Sequence, residues 1–253
     1  MNTSCVTRLV RHRLARLASV IGLAGLLLTA LWLGLVAMAP AQADVGIRYV
    51  APDGDDSKLC DSIADRCRTV QRAIDVADPF GEIRVATGTY TDAVGTVAAI
   101  SKTVILKGGY DSGFNEATRD PGANPTILDA LQTGAVISIT GYVSPTVDGF
   151  TITGGKAPDG GGVYIYDASP IIQNNVITAN LTITSGSYAD GRGGGIYVGG
   201  TSYAIIAENL ILSNTSGYGG GIYHHGYGYY GKTVITRTLP INITDSWDKL
   251  EQT

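Results

Sequence analysis

The chain has 253 residues, 34 of them Gly, about 13% against roughly 7% in an ordinary domain. Interior helical Gly costs about 1 kcal/mol relative to Ala, which disfavours a compact helical domain; the glycines never fall at every third position, which excludes collagen, and their many Val, Ile and Tyr neighbours disfavour disorder. The net charge of −4 hides an asymmetry, because from Asp44 onward 14 basic side chains face 22 acidic ones, a net of −8, and such a surface excludes nucleic acid as an expected partner.

The first 16 residues carry Arg8, Arg11, Arg13 and Arg16 and no acid. An apolar run from Leu17 to Met38 follows, then the small-residue site Ala41-Gln42-Ala43. This order predicts a secretory signal over 1–43, cleaved after Ala43, and an exported protein, secreted or held at the cell surface. The alternative is an uncleaved membrane anchor, since the apolar run is long enough to span a bilayer; membrane contact is expected only there. Cys5 leaves with the signal, so Cys60 and Cys67 in CDSIADRC are expected to close a small disulfide in an oxidising compartment.

Residues 44–82 read as an entry segment and cap. Turns dominate Tyr49–Asp56, and Val70, Ala73, Ile74 and Ala77 then recur at i, i+3, i+4 and i+7. That spacing predicts one short amphipathic helix, ended before Pro79. Beyond it come short β runs separated by turns: GEIRVATGTY, KTVILKGGY, PTILDA, AVISIT and TVDGFTIT.

Self-similarity follows. GGGVYIY from Gly160, GGGIYVG from Gly193 and GGGIYHH from Gly219 are successive units, with NNVITAN at Asn174–Asn180 in the first and ENLILSN at Glu208–Asn214 in the second. The step from the first motif to the second is nearly constant, while the return to the next GGG is elastic. A constant rung with one elastic corner is what a parallel β-solenoid requires, because each coil pairs with the one below at about 4.8 Å. The expected architecture is all-β, about five coils over 83–231. The glycine-free tail, 232–253, offers one further strand at Thr233–Thr236, and an open last coil there is a site of edge association.

Strand alternation places Val163, Ile165, Ile196, Val198, Ile222 and His224 inside and Tyr164, Tyr197 and Tyr223 outside. The equivalent asparagines of successive units are expected to bond up and down the stack.

The mature chain resembles the bacterial right-handed parallel β-helix repeat proteins of the pectin-lyase-like superfamily. The resemblance is carried by YVAPDG, CDSIADRC, TVQRAID, SKTVILKGGYD, RDPGANPTILDA and SPTVDGFTITGG, and the GGG-[VI]-Y units are similar to repeats of polymorphic outer-membrane proteins. It implies a right-handed parallel β-helix whose first coil is capped by the TVQRAIDVA helix. It leaves activity open, since that superfamily holds lyases, hydrolases, adhesins and inert surface proteins.

Polygalacturonase-like sequence patterns are incomplete: Asn214-Thr215 precedes Ser216, and His224-His225-Gly226 lacks a leading Gly. Arg192 is the one cation between Ala157 and Gly231, whereas a uronate substrate calls for several. Among the acids Asp148, Asp159, Asp167, Asp190 and Glu208, Asp167 stands nearest to a catalytic position, but its counterparts in the next units are Gly200 and Gly226. No catalytic residue, metal site or cofactor is assigned; His224 and His225 are adjacent in a strand and face opposite sides. The ligand-binding candidates are Tyr164, Tyr166, Tyr197 and Tyr223, expected about 5 Å apart up the stack and suited to a polysaccharide or a cell-surface partner. A purely structural aromatic ladder is the competing reading. The expected function is a non-catalytic contact module, with a polysaccharide lyase or hydrolase, or a fragment of a longer β-helix protein, as alternatives.

Overall fold

A computed structural model describes residues 46–92, 95–183, 191–226, 231–238, 243–245 and 250–252. The signal or anchor expected at 1–43 lies outside them. No helix among the described residues is long and apolar enough to cross a membrane.

The described residues open with strand β1 (Ile47–Val50), a first rung that reaches into the stretch from Tyr49 expected to hold turns. Helix α1 (Val70–Val76) follows; the Thr69 side chain caps it by accepting from Arg72 N at 3.2 Å. Its buried Val70, Ala73 and Ile74 join the core cluster, and the chain leaves the helix at Ala77, ahead of Pro79. The helix therefore packs at the start of the stack.

Among the described residues, five coils with a strand in each of the three large sheets come next. They are β2 (Glu82–Ala86), β3 (Gly88–Thr91) and β4 (Ala98–Ile100); then β5 (Ile105–Tyr110), β6 (Thr126–Asp129) and β7 (Ile137–Thr140). The third coil holds β8 (Thr146–Asp148), β9 (Thr151–Thr153), β10 (Lys156–Ala157) and β11 (Val163–Tyr166). The fourth holds β12 (Ile171–Gln173), β13 (Val176–Thr178), β14 (Leu181–Thr182) and β15 (Ile196–Gly200). The fifth is β16 (Tyr203–Ala207), β17 (Leu210–Leu212) and β18 (Ile222–Gly226), and β19 (Lys232–Thr236), β20 (Ile243–Asp245) and β21 (Leu250–Gln252) continue beyond it.

These strands form parallel sheets of eight, six and five strands, with β10 and β14 as a small fourth. The fold is a parallel β-helix. Inward residues stack in columns: Ile83, Leu106, Val147, Ile172, Ile206 and Ile235 are register partners through the eight-stranded sheet. In the five-stranded sheet, Leu128, Ile152, Ile177 and Ile211 are partners likewise. All are buried, each contributing about 1.5–3 kcal/mol by the area removed from water.

The GGG corners explain the glycine surplus. Gly160, Gly193 and Gly219 have φ of +62°, +66° and +60°, a region costly to other residues. A Cβ on Gly162 would lie 2.5 Å from Gly195 O, and one on Gly195 the same distance from Gly221 O. Corner stacks on corner with backbone alone between them.

The further strand expected at Thr233–Thr236 is present as β19, and the stack goes on beyond it. β19 pairs with β16 over five residues, and β20 and β21 extend two sheets further. A rung needs a backbone ladder and inward side chains, here Thr233 and Ile235, both buried; it does not need the glycine corner. The elastic part of the fourth coil, 184–190, lies outside the described residues.

Candidate functional site

The outward face of the six-stranded sheet is built from two register columns. Ser138, Tyr164, Tyr197 and Tyr223 form one; Thr140, Tyr166, Gly199 and His225 form the other. Unshifted parallel pairing lays the rings plate on plate. Tyr164 and Tyr197 are stacked with centroids 5.4 Å apart, Tyr197 and Tyr223 at 6.0 Å. Tyr166 stacks beside Tyr164 at 6.3 Å, and the interplanar angles of these three pairs are 3–5°. His225 continues the array at 6.4 Å from Tyr223.

The four candidate tyrosines are thus brought together, but they are not equally open. Tyr164 and Tyr166 are half-buried, whereas Tyr197 is 3% and Tyr223 9% exposed. Both point away from the core, so the expectation that these two rings stand open is corrected. One reason is the missing side chain at position 199: a Cβ there would fall 2.6 Å from Tyr197 Cε1, so the ring lies across the space Gly199 leaves. A second is Arg192, whose guanidinium carbon sits 5.1 Å from the Tyr197 centroid and 5.8 Å from that of Tyr223. Tyr218, at 49% exposure, borders the same end, its ring 6.4 Å from Tyr223.

Arg192 is held by a bidentate pair with Asp159, Nε to Oδ1 at 2.8 Å and Nη2 to Oδ2 at 2.6 Å. Hydrogen bonding to Asp159 raises its pKa, burial opposes this, and the two phenols and the carboxylate charge raise it further. Asp159, Arg192 and Tyr218 are bridge partners in successive coils, and each immediately precedes a GGG. Aligning the units by those glycines shows the column; reading Asp159 only as a turn residue and Arg192 only as part of an elastic loop misses it.

The remaining acids are engaged elsewhere. Asp167 Oδ1 accepts from Thr201 N at 2.8 Å and Thr201 Oγ1 at 3.0 Å, and Glu208 pairs with Arg237. Buried Asp148 accepts from Arg119 Nη2 at 2.9 Å, Gln173 Nε2 at 3.0 Å and Asn174 Nδ2 at 3.1 Å. Asp190 lies outside the described residues, as do Tyr227, Tyr229 and Tyr230. His224 is buried in register with Val198, while His225 is half-buried on the opposite side. Among the described residues, no group of three or more His, Cys, Asp or Glu is placed to hold a metal ion.

Two further features escape sequence reading. On the eight-stranded sheet, Glu82, Arg84 and Lys107 form an outward ion network, with Lys107 Nζ 3.0 Å from Glu82 and 3.1 Å from Glu116. Glu116 also accepts from the Tyr110 hydroxyl, and Phe114 packs its ring 5.1 Å from Tyr49 over this region. A cleft of about 220 Å³ beside α1 is lined by Pro52, Arg68, Gln71, Thr89, Tyr90 and Val97 among others. Its Gln71 amide bonds Asp75 and the backbone of Ala99, which ties α1 to β4.

The solved structures include a similar chain, a rhamnogalacturonan lyase at 11% identity and a TM-score of 0.29, over 76% of this chain and 67% of that one; so low a likeness has no bearing on activity. No curated protein matches the chain. A family model does match, over residues 53–233, which take in the capping helix, all five coils and the tyrosine face: the chain belongs to the family described as Protein of unknown function (DUF1565).

Proposed function

We propose that this protein is an exported contact protein of the cell surface, binding polysaccharide or a partner that carries it through the outward face of the six-stranded sheet. The carrying observation is the preorganised array of parallel tyrosine rings, whose half-buried members Tyr164 and Tyr166 stand 6.3 Å apart. Rigid phenols combine apolar faces with polar edges, which suits sugar rings, and the sheet has already ordered them, so binding costs little further side-chain entropy. The stacked rings also support the sheet, as in the competing reading, and the binding role falls on the two that are least covered. The N-terminal Arg-rich and apolar pattern and the Cys60–Cys67 disulfide both favour export. The similarity of the GGG-[VI]-Y units to repeats of outer-membrane proteins favours a surface location. Engagement of Asp148, Asp159, Asp167 and Glu208 in structural pairs favours contact over turnover.

The test is native affinity electrophoresis through gels holding a panel of neutral and acidic polysaccharides, with product analysis of the same mixtures. Retardation by at least one polymer, weakened about tenfold in Tyr164→Ser/Tyr166→Ser, is the expected result. An unretarded wild-type protein rejects the binding role, and new reducing ends or unsaturated products reject the contact-only role.

A further inference from the structure

Resting on that reading, the distribution of charge over the outward faces of the six- and eight-stranded sheets points to the class of saccharide, and we propose that the tyrosine face takes neutral polysaccharide and discriminates against polyuronates. The outward positions described on β4, β7, β11, β15 and β18 are Ala99, Ser138, Thr140, Tyr164, Tyr166, Tyr197, Gly199, Tyr223 and His225. None is a carboxylate, a lysine or an arginine. The cation at the flank, Arg192, is matched at 2.8 and 2.6 Å by Asp159. Ionic side chains gather instead on the eight-stranded sheet, where Glu82, Arg84 and Lys107 pair with one another and with Glu116 of the turn that follows β5.

A polyuronate laid on the tyrosine face would give up hydration of its carboxylates with no lysine or arginine at the described outward strand positions to replace it, an uncompensated desolvation. It would also approach a chain whose residues from Asp44 onward carry a net charge of −8, and like charge slows and weakens association. A neutral chain meets neither cost. Hydroxyls and phenols line the more open part of the face, from Ser138 and Thr140 to Tyr164 and Tyr166, all half-buried. These four positions belong to two adjacent rungs in unshifted register, so their side chains repeat at about 4.8 Å along the solenoid axis. A bound saccharide lies across that axis along β11, its rings against Tyr164 and Tyr166 of one rung and its hydroxyls toward Ser138 and Thr140 of the rung before.

The test uses the wild-type chain in affinity gels holding a β-glucan, a xylan and a galactan, each beside its own carboxylated derivative, at low and high salt. At least one neutral polymer is expected to retard the protein. Its carboxylated partner should do so at least tenfold more weakly, and added salt should leave the neutral interaction unchanged. Equal or stronger retardation by the carboxylated members, or loss of retardation in salt, overturns neutral selectivity while leaving saccharide binding standing. Absence of retardation by all six polymers overturns both.

Discussion

Asp148 shows what one buried carboxylate does in this solenoid. Burial alone would raise its pKa, but hydrogen bonds from Arg119, Gln173 and Asn174, with the Arg119 charge, outweigh burial and hold the value below the usual carboxylate range. The unfolded chain, at about 3.9, then binds the proton more readily than the folded one. The group's contribution is therefore complete above that value and lost as pH falls through the lower folded pKa. Asp148→Asn is expected to lower stability by about 1–3 kcal/mol near neutral pH, with the gap to wild type narrowing toward pH 3. Urea unfolding at both pH values checks this; a gap that stays constant contradicts the linkage. Alternation alone places Tyr164, Tyr197 and Tyr223 on one face. Their unequal exposure is not legible that way, because it depends on the side chain absent at Gly199 and on Arg192 arriving from the corner before β15.

At the scale of elements, the asparagine ladders join one coil to the next. Asn175 Nδ2 donates to Asn209 Oδ1 at 3.0 Å, and that oxygen also accepts from Asn175 N at 3.0 Å. Asn180 and Asn214 repeat the pattern at the same distances. Thr238 takes the next place above Asn209, its hydroxyl accepting from Asn209 N at 3.4 Å, so the ladder passes beyond the glycine-rich region with a different residue. Removing Asn209 strands two donors of Asn175, both buried. Asn209→Ala is expected to cost about 1–3 kcal/mol, and Asn175→Ala/Asn209→Ala less than the sum of the singles, since the orphaned side-chain donor disappears with its partner. Chemical denaturation of the four proteins gives the coupling energy, and strict additivity would show that the ladder does not couple the coils. The ladder is legible from NNVITAN and ENLILSN because it recurs at one place in each repeat. The loop that carries Arg119 to Asp148 is not, having no repeat to align.

For the whole molecule, each coil leans mainly on its two neighbours, so stability accumulates along one axis. Cys60 and Cys67 are fully buried at the start of that axis, in the same cluster as Val70 and Ile74 of α1. Cys60→Ser/Cys67→Ser is expected to lose about 2–3 kcal/mol on the chain-entropy account of so short a loop. The loss should be local: amides of β1 and β2 should exchange hydrogen sooner, while those of β15 and β18 keep their protection. Uniform loss of protection along the stack would contradict nearest-neighbour coupling. Composition, the GGG units, the helical spacing of Val70, Ala73, Ile74 and Ala77 and period-two alternation elsewhere sufficed to determine the all-β solenoid of about five coils, its one short helix and the side on which the tyrosines lie. Each of those properties is written in residues close in sequence or repeated at a fixed place in the unit. Only the tertiary structure decided that Asp159 neutralises Arg192, that Tyr197 and Tyr223 are covered, that the charges gather on another sheet, and that β20 and β21 continue the stack beyond β19. Those outcomes depend on which corner stands above which, and in a coil with an elastic return that vertical neighbour is set by backbone register in three dimensions, not by distance along the chain.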